Sequence, residues 1–124
     1  MTTWALLRTS TSNDQSTASQ RASVESWCSQ QVPPVVVDRW LDLENVRGGE
    51  ESRDDLDEIM AAASAEPRKL AVLRVSSMER IARRGPETSA YVEKLALCGV
   101  RIASMLQGGW QDCLSPKGKL VARI

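Results

Sequence analysis

Arginine and hydroxyl residues follow the first apolar run of the chain, in the segment Arg8-Thr9-Ser10-Thr11-Ser12. Two further arginines, Arg80 and Arg83, follow a later apolar run and are three residues apart, so on a helical turn they would face the same way. Guanidinium groups are always charged and donate paired hydrogen bonds to oxyanions. Several of them around a serine hydroxyl suit phosphoryl transfer, in which positioning and charge stabilisation do most of the work.

The composition excludes several other chemistries. The 124 residues contain no histidine, which rules out Ser-His and Cys-His nucleophile pairs and His-ligated zinc or haem. The three cysteines (Cys28, Cys98 and Cys113) are far apart and odd in number, so we expect small buried residues in a reducing cytoplasm rather than a disulfide framework. The chain has no glycine-rich phosphate loop after its first apolar run and no GxSxG elbow.

Length and hydropathy indicate one ordinary domain. No apolar run approaches the roughly 18 residues of a membrane span, and no basic segment precedes the first apolar run as in a signal peptide. The net charge is zero, but residues 38–58 carry about nine acids against about three arginines, and residues 68–84 are mostly basic. This segregation can focus a local positive field, although charge alone favours two solvated faces of opposite sign.

Four short apolar runs rich in branched residues are predicted to be strands covered on both faces. They are residues 4–7, 35–37 with an extension towards 41, 70–75 and 100–106. Helical periodicity predicts helices over residues 16–31, 54–63 and 86–98. The first should bury Ala18, Ala22, Val24, Trp27 and Cys28, the second should open on acids from Asp54 onward, and the third should end at Gly99.

Strands that alternate with helices predict an α/β fold with a mainly parallel sheet of four to five strands and helices on both faces. Ligands of such sheets bind beyond the carboxyl ends of the strands, which is where the segment from Arg8 onward would lie. Residues 43–52 and 107–114 each contain a Gly-Gly pair and are predicted to be loops. Residues 115–124 read as the start of a further helix.

The chemistry-bearing motifs, taken in order, resemble those of the catalytic domain of the serine recombinase family, which comprises resolvases, invertases and large serine integrases. The family's opening Arg-x-Ser-[Ser/Thr] motif with a following Gln is matched by Arg8, Ser10, Thr11 and Gln15. The remaining motifs are similar to the segments Thr17-Ala18-Ser19-Gln20-Arg21, Ser52-Arg53-Asp54, Met78-Glu79-Arg80-Ile81-Ala82-Arg83 and Pro116-Lys117-Gly118-Lys119-Leu120. The resemblance runs from Trp4 to Ile124.

The resemblance implies a resolvase-like domain that cleaves DNA with Ser10 as the nucleophile, through a 5′-phosphoseryl intermediate. Arg8, Arg80 and Arg83 would hold the phosphate, and Arg53 would reach in from the mobile loop. The residues that would position the phosphate or the serine are Gln15, Gln20, Glu79 and Asp42. Neither metal nor cofactor would be needed, because the protein–DNA ester conserves the bond energy.

The resemblance also implies partners and surroundings. The full-length protein would form dimers that pair into tetramers on DNA, in the cytoplasm of a bacterium or as a phage-encoded protein on the nucleoid. Residues 1–124 would be the catalytic domain, with the long dimer helix and the DNA-binding region beyond Ile124. Without those parts, affinity for DNA should be weak, since phosphate contacts supply most of it.

Several departures from the family pattern leave alternatives open. Leu6 replaces a usual tyrosine, Arg47 replaces a serine, Glu79 and Asp54 replace an aspartate and a proline, and Asp42 is shifted by one position or its role is lost to Leu43. An extra residue before Gln15 makes Ser12 a rival nucleophile. A second hypothesis is a degenerate, non-cleaving assembly module on DNA. A third is an unrelated small α/β signalling or nucleotide-binding domain, in which Ser10 and Arg80 would lie far apart.

Overall fold

The computed structural model describes residues 2–8, 17–43, 50–78, 81 and 85–112. The elements in chain order are β1 (Thr3–Arg8), α1 (Thr17–Ser29), β2 (Arg39–Leu43), α2 (Glu50–Ser64), β3 (Val72–Val75), α3 (Gly85–Leu97), β4 (Arg101–Ser104) and β5 (Gly109–Gln111). Within these residues the strands form one sheet in the order β2-β1-β3-β4-β5, parallel except for the β4–β5 pair. The predicted α/β fold with a mainly parallel sheet is therefore confirmed.

One side of the sheet, here called the α2/α3 face, is apolar almost throughout. Alternate residues of a strand point to the same side, so Trp4 and Leu6 of β1 lie beside Leu73 and Val75 of β3 and Ile102 of β4. They share one buried cluster with residues of both helices, namely Ile59, Ala62, Ala63, Val92 and Leu95. This face holds most of the hydrophobic core.

The opposite side, here called the α1 face, is covered by α1 over β1. Ala5 and Leu7 pack there with Val24 and Cys28 of the helix. The sheet register continues this face as a row of side chains that crosses all five strands, in the order Trp40, Ala5, Arg74, Ala103 and Trp110. The row is aromatic at its ends and carries a cation at its centre.

The second strand was predicted too early in the chain. Residues 35–37 precede β2, which begins at Arg39 and carries polar side chains. Pairing begins where the Asp38 backbone N–H donates to the Thr3 carbonyl at 2.7 Å and Asp38 Oδ2 accepts the Thr3 N–H at 2.7 Å. Val35 and Val37 are buried in part against the α1 cluster without joining the sheet, which explains their apolar character.

Three further expectations are corrected. Residues 50–52 belong to α2 rather than to a loop, because the acids Glu50 and Glu51 suit a helix N-terminus. Residues 109–111, also predicted as loop, form the antiparallel strand β5, and the turn before it places Gly108 at a φ of 86°. In α1, Ala18 and Ala22 are exposed, and the buried stripe is Thr17, Gln20, Val24 and Cys28.

The third helix ends as predicted. Gly99 has a φ of 93°, a conformation in which a side chain would be strained. The Val100 N–H donates to the Leu95 carbonyl at 3.0 Å, and the Gly99 N–H donates to the Ala96 carbonyl at 2.9 Å. These bonds satisfy the last carbonyls of α3 and turn the chain directly into β4.

Candidate active site

The parallel register aligns the strand ends from which the predicted site segments depart. Arg8 pairs with Leu43, Leu6 pairs with Val75, and Val75 pairs with Ser104, so the carboxyl ends of β1 to β4 lie together. The segments that follow β1, β2 and β3 all leave the sheet at this edge. They carry most of the residues predicted for the site, in accordance with the rule that parallel sheets bind ligands there.

Arg8 is the last residue of β1 and is only 3% exposed. Its backbone is held by the side-chain amide of Gln20, a fully buried residue of α1. Gln20 Oε1 accepts the Arg8 N–H at 3.2 Å, and Gln20 Nε2 donates to the Arg8 carbonyl at 2.9 Å. The Gln20 side-chain amide therefore satisfies the Arg8 peptide groups where β1 ends, as a neighbouring strand would do.

This pairing explains why a glutamine occupies the buried stripe of α1. An internal amide is stable only when its donor and its acceptor both have partners, and the Arg8 peptide groups supply them. Sequence reasoning expected Gln20 to position the phosphate or the serine. The structure places the Gln20 side chain on the backbone of Arg8, two residues before the serine in the sequence.

A second set of contacts secures the segment after β3. The Met105 N–H donates to the Val75 carbonyl at 3.0 Å, and the Leu106 N–H donates to the Ser76 carbonyl at 2.9 Å. Gln107 Oε1 accepts the Met78 N–H at 3.1 Å. The turn after β4 therefore holds the chain up to the residue that immediately precedes Glu79 and Arg80.

Burial of two of its side chains also holds the segment after β3 in place. Met78 and Ile81 are both buried in the core of the α2/α3 face, and the Ile81 N–H donates to the Met78 carbonyl at 3.1 Å. Ser104 Oγ donates to Gln107 Oε1, which locks the amide in place. Neither Ser104 nor Gln107 was among the predicted site residues. The available signal was a polar residue, Gln107, directly after the strand predicted over residues 100–106.

Two predicted residues lie elsewhere than expected. Asp42 is exposed and pairs with Leu7, so its side chain points to the α1 face, whereas Arg8 points to the other side. The structure therefore does not bring Asp42 to Arg8. Arg53 lies within the first turns of α2, which begins at Glu50, so it belongs to a helix rather than to the end of a mobile loop.

The remaining predicted site residues lie outside the part of the chain that the structure describes. They are Ser10 with its rival Ser12, Gln15, Glu79, Arg80 and Arg83. Their proximity to Arg8 stays a prediction. What the structure shows is that the described residues on either side of them, Arg8 and Thr17 or Met78 and Ile81, are buried.

The two described cysteines differ in their surroundings. Cys28 is buried on the α1 face, where burial raises the pKa of its thiol and the Arg74 guanidinium partly opposes this rise. Cys98 is half-buried at the end of α3, a milder outcome than the full burial expected. Within the described ranges, no group of His, Cys, Asp and Glu residues could hold a metal ion, and no helix is long and apolar enough to cross a membrane.

Comparison with known proteins defines the class of this domain. The family model described as the resolvase N-terminal domain matches residues 4–124, so the chain belongs to the resolvase family of serine recombinases, whose reaction is site-specific recombination. Among solved structures, the crystal structure of the N-terminal catalytic domain of TP901-1 integrase is similar, with a TM-score of 0.73 and 15% sequence identity. The match covers 98% of this chain and 88% of that one. No curated protein sequence matches.

Proposed function

We propose that this domain cleaves and rejoins DNA with Ser10 as its nucleophile. Ser10 Oγ attacks the phosphorus of a phosphodiester, the bond from phosphorus to the 3′-oxygen breaks, and the 3′-hydroxyl leaves with a proton. The DNA 5′-phosphate stays esterified to the serine. Rejoining is the reverse reaction with a new 3′-hydroxyl, and no external energy source is needed.

The observation that carries this proposal is the buried Arg8 two residues before Ser10, with its backbone clamped by Gln20. A guanidinium keeps its charge at neutral pH even when it is buried. A fixed cation at the exit of β1 supports phosphate binding beside the serine. Arg80 and Arg83 join it in the proposal because their segment leaves the same edge of the sheet.

The wider role follows from the family and is part of the same proposal. Dimers of the full-length protein pair on two DNA sites, cut all four strands, exchange them and reseal them. Residues 1–124 act as the catalytic domain in that assembly. Asp42 is left out of the phosphate site, since its side chain lies on the opposite face of the sheet from Arg8.

Covalent trapping tests the proposal directly. The chain is fused to a programmable DNA-binding module and incubated with nicked suicide DNA, and the products are separated on a denaturing gel. We expect a protein–DNA adduct with the parent chain and with Ser12→Ala, and none with Ser10→Ala. An adduct that disappears only with Ser12→Ala would reassign the nucleophile.

The same experiment addresses the non-cleaving hypothesis. If no variant forms an adduct while DNA binding and dimerisation are both demonstrated, the domain is an assembly module and the proposal is wrong. Gln20→Leu provides a graded control, because it leaves Ser10 intact but removes both contacts to the Arg8 backbone. We expect it to slow adduct formation without weakening DNA binding.

A further inference from the structure

The α1 face has a groove at the edge of the sheet opposite to the candidate active site. Its volume is about 530 Å³, and it lies between the segment before β2 and strand β5. Thr3 and Val72, the first residues of β1 and β3, line it at the amino ends of the strands. A ligand in this groove would therefore not block the loops that leave the carboxyl ends.

An arginine forms the floor of the groove. Arg74 is only 5% exposed and has Ala5 and Ala103 as its neighbours across the sheet, so small side chains leave space around it. Its guanidinium stacks on two indole rings, at 4.7 Å from the centre of Trp27 and 5.2 Å from the centre of Trp110. The aromatic rings hold the cation in a fixed orientation.

The charge of Arg74 has no counterpart in the described part of the chain. Its buried Nε has no hydrogen-bond partner there. Two other stacked arginines differ in this respect, since Arg21 pairs with Glu25 at 2.9 Å and Arg39 pairs with Glu58 at 2.5 Å. The most buried of the three is thus the one without a carboxylate, although buried charges ordinarily require one.

The acidic residues near Arg74 do not supply the missing carboxylate. The carboxylate of Asp38, which also lines the groove, accepts the backbone N–H of Thr3 at 2.7 Å. Asp112, which directly follows β5, is exposed and has an interaction of its own. Residues 113–124 contain lysines and an arginine but no aspartate or glutamate. Arg101, which stacks on Trp110 at 3.9 Å, adds a second positive charge beside the groove.

The rim of the groove is apolar. Val32 is 97% exposed, Val36 is 76% exposed and Trp110 is 47% exposed, and Pro33 and Pro34 lie between the two valines. Such a rim favours aliphatic side chains over the hydrated backbone of a nucleic acid.

We propose that this groove binds an extended segment of a partner protein that inserts one aspartate or glutamate, flanked by aliphatic residues, onto Arg74. The carboxylate accepts hydrogen bonds from the guanidinium, and the flanking side chains cover Val32, Val36 and Trp110. The proposal does not depend on cleavage by Ser10. It assigns to this domain a protein-docking site separate from its DNA chemistry.

A peptide array provides the test. Three sets of twelve-residue peptides carry Glu, Gln or Lys at the centre, with flanking positions drawn identically from Ala, Val, Leu, Pro and Ser, and the dissociation constants of bound peptides are measured by tryptophan fluorescence. We expect Glu peptides to bind at least about tenfold more tightly than their Gln counterparts, the effect of one charge-assisted hydrogen bond. Lys peptides should not bind.

Variants of the chain show whether Arg74 is responsible. Arg74→Gln should abolish the preference for Glu over Gln, whereas Arg101→Gln should retain it in part. Arg74→Met serves as a second variant if the Gln variant is poorly folded. In the parent chain, the Arg74 Nε–H resonance should shift on addition of a Glu peptide, a change that a purely structural arginine would not show.

Several outcomes would overturn the proposal. They are equal binding of Glu and Gln peptides, no binding by any set, or a preference that survives in Arg74→Gln. Competition by unrelated duplex DNA, together with weaker DNA binding by Arg74→Gln, would assign the groove to nucleic acid instead. Covalent trapping through Ser10 should be unchanged in Arg74→Gln, which keeps this test separate from that of the proposed function.

Discussion

The two faces of the sheet bury the same strands by different means. On the α2/α3 face, leucine, isoleucine and valine side chains from strands and helices form one continuous apolar cluster. On the α1 face, the corresponding row contains Arg74 between two alanines, with tryptophans at both ends. Apolar packing stabilises without regard to direction, whereas stacked cations and amides require particular partners. We therefore expect stability to depend chiefly on the first face and specific contacts on the second.

The largest expected change in the free energy of unfolding comes from a comparison of two adjacent residues of β3. Leu73 is fully buried on the α2/α3 face, so Leu73→Ala should lower the free energy of unfolding by about 3 kcal/mol through the cavity that it leaves. Arg74→Met, one residue further on, should change it by less than about 1 kcal/mol, because it replaces an unpaired buried charge by an apolar chain. Urea unfolding followed by circular dichroism measures both. Equal losses would show that the faces do not differ in this way.

The next largest change in the free energy of unfolding is expected at Gln20, the buried amide of α1 that bonds to β1. Gln20→Leu removes the hydrogen bonds that Gln20 makes to the Arg8 N–H and carbonyl, so it should destabilise by about 2 kcal/mol. Gln31→Leu is the matched control, since the Gln31 side chain is partly exposed and donates to the Trp27 carbonyl near the end of the same helix. Its effect should stay below about 0.5 kcal/mol. Thermal unfolding of both variants would show whether the clamp, rather than helix composition, accounts for the loss.

A smaller effect is expected from the only tyrosine of the chain. Tyr91 Oη donates to the Leu56 carbonyl at 2.6 Å and joins α3 to α2, so Tyr91→Phe should destabilise by about 1 kcal/mol. Burial raises the pKa of this phenol above its ordinary value of about 10. The absorbance of tyrosinate, which reports on this residue alone, should therefore rise only at a higher pH than in the unfolded chain.

Because folding raises the pKa of Tyr91, the stability that this residue contributes depends on pH. Above about pH 10 the unfolded chain loses the phenolic proton while the folded chain keeps it, so the stability that this group contributes falls as pH rises. Below that pH the contribution is fully present. The stability difference between the parent chain and Tyr91→Phe should therefore shrink in alkaline solution. A difference that is constant with pH would contradict the burial of this phenol.

The smallest effect is expected on the outer surface of α1. Arg21 and Glu25 form an exposed pair one helical turn apart, and Arg21 also stacks on Trp40 at 4.5 Å. Glu25→Gln should change the free energy of unfolding by only about 0.3 kcal/mol, and less at high salt. A double-mutant cycle with Arg21→Gln isolates the pair. A coupling above about 1 kcal/mol would mean that the α1 face derives stability from its ion pairs after all.

Sequence reasoning located the interior strands more accurately than the edge strands. β1, β3 and β4 have neighbours on both sides, and their largely apolar runs predict them as strands. β2 and β5 lie at the two edges, where polar residues such as Arg39, Asp42 and Gln111 are tolerated. The valines at 35–37 were predicted as a strand because they are apolar. Val35 and Val37 pack against the core from a segment outside the sheet, and periodicity cannot distinguish such a segment from a short strand.

The candidate site was predictable to the extent that it follows from chain order. The placement of Arg8 at the exit of β1 needed only the apolar run before it, and the resemblance singled out Gln20. The actual contact of Gln20, with the Arg8 backbone, depends on how α1 packs against β1. Gln107 was missed because its partner Met78 lies 29 residues earlier, and only the sheet register brings them together.

The strand order also bears on how the domain forms as the ribosome releases it. β1 is synthesised first, and each later strand then joins a neighbour that already exists. β2 joins on one side of β1, and β3, β4 and β5 join in turn on the other side. No strand has to be inserted between two others. The sheet can therefore grow outward from β1 during translation. Each new strand can pair with the exposed edge of the strands already formed, so few apolar segments remain uncovered for long.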